Sequence, residues 1–204
     1  MSEGNKTSES SLFKLILNSP NFSLSDERMS RAAAFLIGFY ILHSIPNTML
    51  LLPSGELQYD SKARSMQQIP GLALFEIYLA LGFIVHASLA IKSASEKPVS
   101  VLLVSGLLVS GFTILHLLDF RLGNFQKPSE PPHAVVESVL RNRARKAIYV
   151  LGVALACIHA YQGLRPAFLF KLGFRGERIK WLQLIGRALV VLSTANYFIP
   201  LAKW

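Results

Sequence analysis

The stretch AIYVLGVALACIHAYQGLRPAFLFKLG, residues Ala147–Gly173, is apolar over a length sufficient to cross a membrane. A helix needs about 20 predominantly apolar residues to span the hydrocarbon core. One imidazole, His159, lies in the middle of this stretch. Ionisable or metal-binding side chains at that depth are costly and usually functional. The stretch therefore predicts a membrane helix that carries a functional histidine.

The rest of the composition also indicates a membrane protein. Charged residues make up 16% of the 204-residue chain and hydrophobic residues 51%, whereas a soluble domain has about 25% charged residues. Five apolar stretches have spanning length, at about 32–52, 70–91, 99–118, 147–170 and 181–201. We predict an all-α membrane protein with an N-terminal tail, residues 1–30, and a five-helix domain, residues 31–204. The first four helices are expected to form a bundle, and Ser11–Phe22 in the tail has the pattern of an interfacial helix.

The net charge of +9 is distributed mainly over the segments between the apolar stretches. This distribution favours anionic lipid headgroups or a docked protein as partners and argues against nucleic acid. Positive residues are almost equally numerous on the two sides of the membrane, and we place the N-terminus inside. The single cysteine, Cys157, excludes a disulfide framework. Trp181, Tyr197 and Trp204 suit an aromatic belt.

Four of the five histidines lie one in each of the first four apolar stretches, and His133 lies between stretches. The four are His43, His86, His116 and His159. Each imidazole must find a partner, because burying it unpaired in lipid is costly. One interpretation is a structural histidine bonded to a neighbouring helix. The other is bis-histidine ligation of haem b, with two helices holding each iron. Zinc is disfavoured, because its tetrahedral sites usually have ligands closer in sequence.

Depth in the membrane restricts how the histidines can pair. At about 1.5 Å of rise per residue, His86 lies about 8 Å from the inner end of its stretch. His43 and His159 lie at about 17 Å, and His116 at about 26 Å. One iron cannot bind both His86 and His116. Two schemes remain: His43 with His116 and His86 with His159, or His43 with His86 and His116 with His159. Either scheme gives one haem nearer each membrane face.

The residues around these histidines resemble a known family. The similar motifs are H-x-x-x-N (His43, Asn47), E-x9-H-A (Glu76, His86, Ala87), SG…HLLDFRLG (Ser110, Gly111, His116, Asp119, Arg121) and H-x-x-x-G-L-x-x-A-F-x-x-x-L-G (His159, Gly163, Ala167, Gly173). In this order they resemble the single-chain di-haem cytochrome b membrane anchor of succinate dehydrogenase / quinol:fumarate reductase, respiratory complex II. The likeness runs from about Arg28 to Leu201.

The resemblance implies a set of cofactors, pairs and partners. His86 and His159 would bind the haem b proximal to the soluble subunits, and His43 and His116 the distal haem b. The partners would be a flavoprotein subunit with FAD and an iron–sulfur subunit, and a higher oligomer of the complex is compatible with this. Electrons would pass to or from a membrane quinone, menaquinone or ubiquinone. The dicarboxylate chemistry would belong to the flavoprotein.

Weaker candidates are cations, hydroxyls and a carboxylate near the membrane faces. Haem propionates need cations or donors, and the candidates are Ser30, Arg31 and Lys171 inside, with Arg64 and Arg121 outside. Ordinary interfacial snorkelling is the alternative for each of these residues. Glu76 and Arg165 are quinone candidates, although Glu76 could equally bond a neighbouring helix.

Two other functions compete with this one. One is a di-haem b anchor of another quinone-linked dehydrogenase, of the hydrogenase or formate dehydrogenase type. The other is a multi-pass transporter or scaffold without a cofactor, in which the histidines line a polar path. We expect the bacterial cytoplasmic membrane rather than the mitochondrial inner membrane as the location.

Overall fold

Helices dominate the part of the chain that the computed structural model describes, residues 24–94, 100–122 and 130–204, and this part contains no strand. Five helical segments are long and apolar enough to cross a membrane: Ser30–Leu51, Leu74–Lys92, Val101–Phe120, Arg143–Gly163 and Glu177–Lys203. The prediction of an all-α membrane protein with five spanning helices is confirmed. The predicted interfacial helix at Ser11–Phe22 lies outside the described residues.

The helices have the following order. They are α1 (Leu24–Ser44), α2 (Gly55–Gln67), α3 (Leu72–Ala94), α4 (Val101–His116), α5 (Pro132–Leu140), α6 (Arg143–Gly163), α7 (Pro166–Lys171) and α8 (Glu177–Lys203). A 3₁₀-helix, Ile45–Leu51, continues α1, and a π-helical turn, Leu117–Leu122, continues α4. We call the end of the bundle where α1, α4 and α8 begin the inner end. The opposite end, which carries α2 and α5, is the outer end.

The spanning helices pack as two pairs joined by a fifth helix. Helix α1 packs on α3, α4 packs on α6, and α8 contacts both α1 and α6. Within the second pair, a Cβ atom on Gly152 would overlap the ring of Phe112. Glycine at this position lets the two helices approach closely, as small residues do in membrane bundles. The surface of the bundle includes the exposed side chains of Leu74, Ile77 and Leu81 of α3. Such an apolar surface suits contact with lipid.

The outer end is more ordered than the sequence indicates. The polar segment between the first two stretches contains α2, and the segment between the third and fourth contains α5. The two short helices are in contact. The Asp60 carboxylate accepts bonds from the His133 backbone N–H at 2.8 Å and lies 2.7 Å from the ring Nδ1. Beside it, burial and the Asp60 charge raise the pKa of Tyr59 to about 12. His133 thus has a structural role outside the spans.

The fourth spanning helix is shorter at its inner end than the predicted range 147–170. Helix α6 begins at Arg143 and ends at Gly163, and α7 starts with Pro166 as its first residue. Proline has no backbone N–H to continue the hydrogen bonds of a helix, but it is well suited to the first position of a new one. The Arg165 Nε atom donates to the Gln162 carbonyl at 3.0 Å. The spanning helix therefore ends at Gly163, and a separate short helix follows, so that there is no single kinked helix.

A first prediction concerns Gly55, which starts α2. A Cβ atom here would lie 2.8 Å from the Leu50 Cα atom and would also clash with the Met49 carbonyl. Both are backbone atoms of the 3₁₀-helix and cannot rotate away. We expect Gly55→Ala to lower the free energy of unfolding by about 1–3 kcal/mol, measured by denaturation in detergent. Gly38→Ala in α1 is the control, because its Cβ atom meets nothing within 4 Å; equal stability of both variants would contradict the prediction.

Candidate functional site

The four histidines of the spanning helices form two ring pairs. The ring centroids of His43 and His116 are 6.0 Å apart, with an interplanar angle of 82°. Those of His86 and His159 are 6.1 Å apart, with an angle of 81°. The first pair joins α1 to α4 near the outer end, and the second joins α3 to α6 nearer the inner end. These are the pairs that the family resemblance implies.

Both pairs lie at the same interface of the bundle. Each takes one histidine from the α1–α3 unit and one from the α4–α6 unit, whereas these four helices contact one another most extensively within each unit. The interface between the units therefore holds both imidazole pairs, one nearer each end of the bundle. The scheme that combines His43 with His86 would instead place both ligands in one tightly packed unit.

The hydrogen bonds of His43 fix its tautomer. Its Nδ1 atom lies 3.1 Å from the Tyr197 hydroxyl oxygen. That hydroxyl donates its single hydrogen to the Tyr40 carbonyl at 3.0 Å. The ring must therefore donate from Nδ1–H to the Tyr197 oxygen, since a phenol carries only one donor. A neutral imidazole protonated at Nδ1 keeps the Nε2 lone pair for a metal.

The same arrangement recurs at His159. Its Nδ1 atom lies 3.2 Å from the hydroxyl oxygen of Ser105, a residue that is only 4% exposed. Ser105 donates its hydrogen to the Leu102 carbonyl at 3.1 Å. The ring again donates from Nδ1–H, and Nε2 again keeps its lone pair. Donation of the non-ligating ring N–H to a protein acceptor is the usual arrangement of a metal-binding histidine.

The ring separations fit two ligands on one metal ion. Two imidazoles that bound a metal between them through bonds of about 2.0 Å would have ring centroids about 6 Å apart. Gly106 provides the space at the inner pair, because a Cβ atom there would lie 2.9 Å from the His159 Cε1 atom. Among the described residues, no cluster of three or more His, Cys, Asp or Glu side chains is arranged to hold a metal ion. Each site thus offers two imidazole ligands.

The His116 ring lies in an aromatic cage that includes one polar side chain. Phe112, Phe120 and Tyr149 surround it at centroid distances of 6.2, 5.0 and 6.1 Å. The Tyr149 hydroxyl donates to the Asp119 carboxylate at 3.0 Å. Tyr149 is 4% exposed and belongs to a buried cluster with Leu140, Val153 and Leu201. Tyr149 contacts the imidazole from α6, whereas Phe112 and Phe120 belong to α4 and to the turn that follows it.

The propionate candidates divide between the two ends. Ser30 is buried on α1 and Lys171 is half-buried on α7, a helix that contacts α1, so both belong to neighbouring elements at the inner end. Arg31 is exposed at the same end. Arg64 is exposed on α2 at the outer end. The side chain of Arg121 lies outside the described part of the structure.

The quinone candidates lie at opposite ends of the bundle. Glu76 is half-buried in the second turn of α3, at the outer end, and Arg165 is exposed at the inner end. The Arg165 guanidinium donates to the Gln162 carbonyl, which gives it a local structural role. The structure does not bring these two residues together.

Three contacts of the site are not apparent from the sequence. Tyr197, expected in an aromatic belt, instead contacts His43 from α8, a helix without histidine. Ser105 is one of several small residues in the third apolar stretch, and the Asp119–Tyr149 bond joins residues 30 positions apart. No sequence signal marks any of these contacts, because each depends on which helix faces which. Comparisons of the chain with protein-family models, with curated proteins and with solved structures find no match.

Proposed function

We propose that this membrane protein is a di-haem cytochrome b that carries electrons between a soluble partner and membrane quinone. The observation that carries the proposal is the pair of histidine sites, each with its ring centroids about 6 Å apart, a separation at which both rings could bind one metal between them. In each pair, one histidine is held by a hydrogen bond at Nδ1 that leaves Nε2 for a metal. His43 and His116 would hold one haem b, and His86 and His159 the other.

The number of ligands supports haem over a bare metal ion. A zinc site takes three or four protein ligands, and each pair supplies two. Haem iron takes four nitrogens from the porphyrin and needs only its axial ligands from the protein. When bound, the two haems would supply reversible one-electron transfer along the bundle. The chain's own residues hold the axial imidazoles in orientation and surround them with apolar helices that exclude water.

The finer assignment depends on the resemblance to the complex II anchor. In that assignment the inner pair lies proximal to an iron–sulfur subunit and a flavoprotein with FAD, and the outer pair is distal. Ser30, Arg31 and Lys171 would bind propionates at the inner end, and Arg64 and Arg121 at the outer end. Glu76 or Arg165 would contact menaquinone or ubiquinone. The succinate or fumarate chemistry would occur on the flavoprotein, and the membrane would be a bacterial cytoplasmic one.

The direct test is the visible spectrum of the purified chain. We expect b-type absorption in the dithionite-reduced minus oxidised difference spectrum and two haems per chain by pyridine haemochrome assay. A variant with all four membrane histidines replaced by alanine is the matched control and should bind none. A wild-type chain without b-type absorption would overturn the proposal and favour a transporter or scaffold.

A second experiment separates the quinone-linked dehydrogenases. The intact complex is purified through a tag on this chain, and covalently bound flavin, non-haem iron and haem are measured together. A flavin-containing partner supports the complex II assignment. A haem-loaded chain whose partners lack flavin would contradict it and favour an anchor of the hydrogenase or formate dehydrogenase type.

A further inference from the structure

An ion pair lies at the outer end of the bundle beside the His43–His116 site. The Arg145 Nη1 atom of α6 lies 3.2 Å from the Asp119 Oδ2 atom in the π-helical turn that follows α4. The Asp119 side chain is 13% exposed, whereas that of Arg145 is 42% exposed. Solvent screens the arginine more strongly than the carboxylate. The arginine therefore only partly compensates the buried carboxylate, and the pair presents a net negative charge towards the interior of the bundle.

Tyr149 connects this ion pair to the histidine site. Its hydroxyl donates to the same Asp119 Oδ2 atom that Arg145 contacts. Its ring packs against the His116 ring and against Phe112 and Phe120. The Tyr149 side chain thus contacts both the carboxylate and the imidazole, and the rings packed around it, Phe112 and Phe120, are apolar. A charge acts strongly across such a medium, because the effective dielectric constant there is far below that of water.

We propose that Asp119 and Arg145 act as tuning groups that set the reduction potential of the haem held by His43 and His116. This inference rests on the proposed function. Reduction of ferric to ferrous iron adds one electron and removes one positive charge from the site. The Asp119 carboxylate stabilises the oxidised state and lowers the potential, whereas Arg145 stabilises the reduced state and raises it. Groups just beyond the ligands are known to control potential in this way.

The test uses the opposite signs of the two charges. Asp119→Asn should raise the midpoint potential of the outer haem, and Arg145→Gln should lower it. We expect Asp119→Asn to shift the reduction equilibrium about tenfold, which is about 59 mV for one electron. Arg145→Gln should give a smaller shift, because solvent screens the arginine more strongly. The potential of the double variant should lie between those of the wild type and Asp119→Asn. The potentials are measured by optical redox titration of the purified chain, with dithionite as reductant, ferricyanide as oxidant and soluble mediators.

Two control variants separate charge from structure. Tyr149→Phe removes the hydroxyl but keeps the ring against His116 and both charges, and should shift the potential much less than Asp119→Asn. Glu137→Gln removes the carboxylate of another ion pair at the outer end, Glu137–Arg141, and should leave both haem potentials unchanged. If Asp119→Asn loses the outer haem, Arg145→Gln decides the question, because it leaves the Asp119–Tyr149 bond intact.

The outcomes are distinguishable from failure of the proposed function. The haem whose potential moves should be the one that is missing in a His116→Ala chain. Two bound haems with unmoved potentials, or shifts in the same direction for both charge variants, would overturn this inference alone. A chain that binds no haem would overturn the proposed function instead.

Discussion

Replacing His116 with alanine is expected to leave one haem per chain instead of two. The outer site has two imidazole side chains 6.0 Å apart, and alanine leaves only that of His43 to bind a haem. The inner pair, His86 and His159, belongs to a separate site and keeps both ligands. Haem per chain is measured by pyridine haemochrome assay, and helical content by circular dichroism. Unchanged haem content would contradict the assignment of His116.

The chain provides controls for this experiment. His43→Ala should give the same result as His116→Ala, because both residues serve the outer site. His86→Ala should instead remove the inner haem and leave the outer one. His133→Ala should keep both haems, because His133 lies outside the spans and bonds Asp60. Loss of the same haem in His43→Ala and His86→Ala would show that the pairs are assigned wrongly.

Hydropathy could predict the spanning helices, because a segment that crosses the hydrocarbon core must be apolar and must form its backbone hydrogen bonds within itself, as a helix does. The apolar character of these stretches also makes the four histidines within them conspicuous. Hydropathy could not choose between the two pairing schemes of these histidines, because the estimated depth of each depends on where its helix ends. Helix α6 ends at Gly163, so His159 lies four residues from its inner end instead of mid-span. This brings His159 towards the level of His86.

The contacts beyond the ligands could not be predicted from a single sequence. Tyr197 contacts His43 across 154 residues of chain, and Ser105 contacts His159 across 54. Such contacts depend on helix rotation, and a membrane helix with apolar residues on every side gives little periodic signal of which face is buried. The resemblance implied the histidine pairs, but tyrosine and serine as orienting groups follow only from the packed bundle.

The second large effect is expected at Gly106, which is in contact with the ring of His159. An added Cβ atom would lie 2.9 Å from Cε1 and 3.4 Å from Nδ1 of that ring. Valine adds two further methyl groups, so the imidazole must move away. The movement also stretches the 3.2 Å bond between His159 and Ser105. We expect Gly106→Val to remove the inner haem and keep the outer one.

The matched control is Gly111→Val, in the same helix. A Cβ atom at Gly111 meets nothing within 4 Å, and the intrinsic helix propensity changes equally in both variants. Gly111→Val should therefore keep both haems, so that the difference between the variants measures contact with His159 alone. If Gly106→Val weakens the inner site without abolishing it, we expect the affinity of that site for haem to fall about 10–100-fold, as it does when an orienting contact of a ligand is lost. This fall would be visible as loss of haem on dilution. A Gly106→Val chain that retains two haems as firmly as the wild type would mean that the His159 ring does not lie against Gly106 in the loaded protein, and that the inner site is built differently.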